Sequence, residues 1–84
     1  MPKMKYIIAN AGGYPEPYVF SDTVNHADMA RNVGAEIVLG AGFCGINPNR
    51  EFECYGESVS LRVKSRGEYD SKILNQKFGL VDPY

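Results

Sequence analysis

Neither sign of charge dominates this 84-residue chain: nine lysines and arginines stand against ten aspartates and glutamates, for a net charge of −1. Such a balance lacks the global pull that draws a nonspecific binder to nucleic acid, so duplex DNA is not an expected partner. No apolar run comes near the roughly 20 residues needed to cross a bilayer, and no membrane association is expected. Nothing near Met1 combines a charged start, an apolar stretch of about 7–15 residues and a small-residue cleavage site, so the expected location is the cytoplasm. Cysteine is scarce: Cys44 and Cys54 are too few, and wrongly spaced, to make a metal site of their own. Both lie in strand-like runs near Phe43 and Phe52, which reads as reduced thiols packed as small apolar groups, with a disulfide as the alternative. One histidine, His26, and no convergent set of acid, base and nucleophile leave no reaction to name. No catalytic residue, metal or cofactor is expected.

The composition, 44% hydrophobic and 23% charged, is that of a soluble globular protein. The length suits one domain over 1–84 with a modest core, near the size at which self-association or other support becomes useful. Lys5–Ala9 reads as a first strand, closed by the glycines of 10–13. Pro15 and Pro17 remove two backbone donors and assign the next strand, Pro17–Phe20, to a sheet edge. Asn25 can cap a short helix to Val33, with Val24 and Met29 spaced as a hydrophobic staple and Gly34 as the stop. His26, Met29, Ala30 and Val33 then share a face.

Ile37–Ile46 is the most apolar run, and its β-branched residues and glycines favour a buried strand. Gly40 and Gly42 share one face of it, open to close approach by a helix. A turn over 47–50 predicts a hairpin to Glu51–Tyr55. Phe52 and Cys54 are inward at even positions, whereas Val59, Leu61 and Val63 are inward at odd ones, so Gly56 should absorb a bulge or turn. Ser65 with Glu68 has capping-box spacing and predicts a helix to Phe78, with Tyr69, Ile73, Leu74 and Phe78 on its apolar side. Gly79 stops that helix, Leu80 can fold back on Leu74, and 81–84 is a short tail.

If Val59–Lys64 is a strand, its outer face is a ladder of Ser58, Ser60, Arg62, Lys64 and Arg66. Two readings compete. The cations pair across strands with Glu51 and Glu53, or they stand free beside the second helix's N-terminus and hold phosphate, nucleotide or an acidic protein surface. His26 is either a packed core residue or a pH-responsive ligand contact. Gly56-Glu-Ser-Val-Ser60 lacks the final glycine and following helix of a nucleophile elbow, and Gly40-Ala-Gly-Phe-Cys-Gly45 lacks the following helix of a dinucleotide loop.

The motif Cys54-Tyr-Gly-Glu-Ser-Val-Ser-Leu61, followed by Lys64-Ser-Arg66 and acidic Glu68 and Asp70, resembles small uncharacterised proteins encoded by phages and prophages. Phe20-Ser21, Asn25-His26-Ala27 and Ala41-Gly-Phe43 fit the same pattern, although Gly67 stands where that pattern has a proline. The resemblance implies a phage or prophage setting and carries no activity. The expected fold is α+β, an antiparallel sheet of about four or five strands with two helices packed on one face. The expected function is noncatalytic: an accessory factor that binds a host protein in the host cytoplasm and acts against a defence system. A binder of small anionic ligands or nucleic acid through the basic face is the alternative, and a small hydrolase comes third.

Overall fold

The computed structural model describes residues 4–10 and 12–79. Met4–Asn10 (β1) and Pro15–Ser21 (β2) form a hairpin, followed by His26–Asn32 (α1), Ile37–Ile46 (β3) and Phe52–Tyr55 (β4). Glu57–Ser58 (β5) and Val63–Lys64 (β6) make a small second sheet, and Glu68–Phe78 (α2) completes the order. The main sheet is antiparallel throughout, in the order β2-β1-β3-β4. The expected α+β class and four-stranded sheet are therefore present.

The central strand explains the layering. Tyr6, Ile7, Ile8 and Ala9 are consecutive and wholly buried, and because successive strand residues point to opposite faces, both faces need cover. Tyr6 and Ile8 pack with Cys44, Phe52, Cys54 and, from α2, Leu74. Ile7 and Ala9 pack with Phe20, Ala41 and, from α1, Ala30. The helices thus lie on opposite faces rather than the single face expected, since one helix cannot cover both halves of a doubly apolar strand.

Local signals hold where the chain is regular. The Asn25 side chain accepts from the Ala27 N–H, and Gly34 takes the positive φ of a helix stop. Pro15 and Pro17 fall on β2, an edge strand paired only to β1. A side chain at Gly40 would overlap the Asp70 carboxylate, so this glycine does admit α2. At Gly42 the close neighbour is instead the backbone of Tyr55–Glu57, where the chain leaves β4.

Two further expectations fail. Val59–Lys64 is not a strand: residues 59–62 turn between β5 and β6, Arg62 has φ +57°, and Val59 is 82% exposed. The Ser58 hydroxyl accepts the Leu61 N–H, a local bond that reverses the chain where alternation implied extension. Leu61 and Val63 still pack against the α1-side core. Nor does Ser65 cap α2, which begins at Glu68 with no side-chain cap on its own N–H groups. Ser65 Oγ accepts the Gly67 N–H instead, within the approach to the helix. The expected Leu80 contact and the tail at 81–84 lie outside the described residues.

Candidate functional site

The residues expected to form a basic ladder do not line one face. Ser58 is fully buried, with its Oγ 3.4 Å from Ser60 Oγ, so it serves the turn. Ser60, Arg62 and Lys64 are exposed, and Lys64 sits opposite Glu57 across the small sheet. Arg66 is committed elsewhere: its Nε lies 2.6 Å from Asp70 Oδ1 and its guanidinium stacks over the Tyr69 ring, 4.6 Å from the centroid. Pairing with Glu51 or Glu53 does not occur among the described residues, whose ion pairs are Arg31–Asp28, Arg66–Asp70 and Lys77–Glu16.

His26 opens α1 and is buried, with Nε2 2.8 Å from the Gly42 carbonyl and its ring edge-on to Phe20 and Phe43. A carbonyl only accepts, so Nε2 carries the proton. Burial lowers its pKa, and nearby Lys5 lowers it further, against the opposing effect of the Gly42 bond.

Asp70 is the hub of a buried polar cluster that sequence reading missed. Its carboxylate accepts from the Tyr6 hydroxyl at 2.5 Å, the Arg66 N–H at 2.9 Å and Arg66 Nε. The Tyr6 oxygen is also 2.7 Å from Ser65 Oγ. A phenol has one proton and a carboxylate only accepts, so Tyr6 donates to Asp70 while the Ser65 hydroxyl donates to Tyr6. Burial, followed by the bond to Asp70, raises the Tyr6 pKa far beyond the physiological range. No polar side-chain atom in the described interior lacks a partner. The cluster is thus saturated, and it seats α2 on β1.

The residues open to a partner lie alongside this cluster, in a groove of about 860 Å³ between β4 and α2. Its floor is built by an edge seal. Asn75 accepts the Phe52 N–H at 2.7 Å and donates to the Phe52 carbonyl at 3.2 Å, while Ser71 Oγ accepts the Cys54 N–H at 2.9 Å. Helix side chains thereby take three of the four hydrogen bonds that another strand would make at 52 and 54. Around the floor stand Glu51, Glu53, Glu68, Tyr69 and Lys72. Three carboxylates against one ammonium give the groove an acidic character, and none of the three joins an ion pair among the described residues.

Sequence reading missed this groove, although a signal was present. Ser71 and Asn75 are four residues apart on the same stripe as buried Leu74, and polar residues on an apolar stripe need buried partners.

The two cysteines are mostly protonated near neutral pH. Burial pushes the Cys54 thiol up to about 11 and the Cys44 thiol up to about 12. Among the described residues no group of three His, Cys, Asp or Glu could hold a metal ion, and no helix is long and apolar enough to cross a membrane. Fold and groove together define a small α+β protein with an open acidic cleft at one sheet edge. Compared with known proteins, the chain matches no family, no curated protein and no solved structure.

Proposed function

We propose that this chain is a noncatalytic binding protein whose contact surface is the β4–α2 groove, and that the groove takes a lysine- or arginine-bearing segment of a partner protein. The observation that carries this reading is the acidic rim of Glu51, Glu53 and Glu68, none of them in an ion pair among the described residues, above a floor where both backbone groups of Phe52 and the Cys54 N–H are already bonded. An added strand would find those three groups taken, so recognition falls to side chains: carboxylates for cations, and exposed Tyr69 as an aromatic contact. The saturated Asp70 cluster and the raised cysteine pKa values also favour binding over catalysis. The motif resemblance supplies the setting, a phage or prophage accessory factor in the host cytoplasm, with a host protein as partner and action against a defence system as its role.

The test is affinity capture from host lysate with three baits: wild type, the double variant Glu51→Gln/Glu68→Gln, and Arg62→Gln/Lys64→Gln. A partner retained by wild type and the basic-residue variant, but lost with the acidic-rim variant and with added salt, supports the groove. Retention by the acidic-rim variant together with loss in Arg62→Gln/Lys64→Gln overturns it in favour of anion recognition by the hairpin. A thermal-shift screen against nucleotides and oligonucleotides checks that second reading, because a ligand specific for the native state raises its melting temperature.

A further inference from the structure

Cys44 and Cys54 stand directly opposite each other in the β3–β4 ladder, with both side chains in the cluster beneath α2. The hydrogen bonding identifies the kind of pair they form. Within a strand, a residue's N–H and C=O point to the same side, and the direction alternates from residue to residue. Phe52 directs both groups outward to Asn75, and Cys54 directs its N–H outward to Ser71, so neither faces β3. The Asn47 N–H donates to the Glu51 carbonyl, which places the inward bonds at the intervening positions. Cys44 and Cys54 are therefore a non-hydrogen-bonded pair, the kind whose Cα atoms approach to about 4.5 Å. That distance is at the short end of the span a disulfide accepts, roughly 4.4–6.8 Å.

We propose that Cys44 and Cys54 are a reversible dithiol–disulfide couple, oxidised by a small-molecule disulfide that reaches Cys54 through the β4–α2 groove. Cys54 lines the groove and is 8% exposed, whereas Cys44 is 1% exposed, so Cys54 reacts first. Its thiol loses a proton, and the thiolate attacks one sulfur of RSSR, giving a mixed disulfide on Cys54 and releasing RS⁻, which takes up a proton as RSH. Cys44 then loses its proton and attacks the Cys54 sulfur, forming the Cys44–Cys54 bond and releasing a second RSH. Two protein thiols and one RSSR become one protein disulfide and two RSH, with two electrons passing to the small molecule. The same exchange run in reverse with excess thiol returns both cysteines to the reduced form, which makes the couple reversible. Because the thiolate is the attacking species, oxidation accelerates about tenfold per pH unit below the Cys54 pKa. None of this depends on the partner proposed for the groove.

The test uses the wild-type chain incubated with oxidised glutathione at pH 7, 8 and 9, followed by iodoacetamide quenching, intact mass and peptide mapping. The expected product is a monomer that has lost two hydrogens and carries no alkyl group, at rates rising about tenfold per pH unit, and that dithiothreitol restores. In Cys44→Ala the reaction should stop at one glutathione on Cys54. Stable glutathione adducts on the wild type, a disulfide-linked dimer, or full alkylation of both cysteines while a urea-unfolded control oxidises would each overturn the proposal.

Discussion

Asp70 has no exposed surface, yet three donors converge on it: the Tyr6 hydroxyl, the Arg66 N–H and Arg66 Nε. Asp70→Ala would leave the Tyr6 hydroxyl without its acceptor and should cost about 2–4 kcal/mol in urea denaturation, between the roughly 1–3 kcal/mol of an orphaned buried group and the roughly 3–5 kcal/mol of a broken, fully buried ion pair. Tyr6→Phe keeps the Asp70–Arg66 pair and should lose only about 1 kcal/mol. Equal losses would show that the hydroxyl, and not the carboxylate, anchors the cluster. His26 makes a pH prediction. Its pKa in the folded protein is lowered below 6.5, so between those two values the unfolded chain binds more protons. Its contribution is complete above pH 6.5 and is lost as pH falls through the folded pKa. The wild-type denaturation midpoint should drop between pH 7.5 and 5.5, and His26→Gln should show a flatter profile over that window.

The helix α2 does two jobs at the element scale. Leu74 covers the face of the sheet that carries Tyr6 and Ile8 while Ser71 and Asn75 bond the β4 edge. Asn75→Ala would remove both bonds to Phe52, and we expect a cost of about 1–3 kcal/mol together with concentration-dependent aggregation measured by light scattering. An Asn75→Ala variant that stays as stable and monomeric as wild type would show that the edge needs no seal. On the small hairpin, exposed Val59 sits at the turn and half-buried Leu61 packs inward. Val59→Ser should change stability by no more than about 0.5 kcal/mol, whereas Leu61→Ala should cost more, and chemical denaturation of the pair checks the hairpin.

Charge distribution matters more than net charge for the whole molecule. Exposed Arg62 and Lys64 lie on the β5–β6 hairpin, whereas the acidic rim lies along β4 and α2. Arg62→Gln with Lys64→Gln should leave folding nearly unchanged, because exposed charges contribute little. Adding Arg66→Gln should lower the denaturation midpoint, because that side chain is two-thirds enclosed against Asp70. Duplex DNA binding should be undetectable near physiological salt. Tight binding that weakens steeply with added salt would favour the anion-binding alternative over the proposed groove.

What was legible from sequence is local. Asn25 as a cap, Gly34 as a stop, the two edge prolines, the β3–β4 hairpin and the close approach at Gly40 all depend on residues a few positions apart or on the backbone freedom of one residue. The expectation of both helices on one face overlooked the consecutive apolar residues 6–9, which need cover on both sides. The Val59–Lys64 alternation misled because a two-residue period records only which side chains are apolar, while the Ser58–Leu61 bond decided the backbone path. Tertiary structure alone decided the candidate site. Tyr6 meets Asp70 across 64 residues and Phe52 meets Asn75 across 23, and no local pattern specifies which distant donor satisfies a buried acceptor. Those pairings form only when the sheet and α2 close on each other, because burial removes water as the competing partner and leaves each polar group its nearest complement.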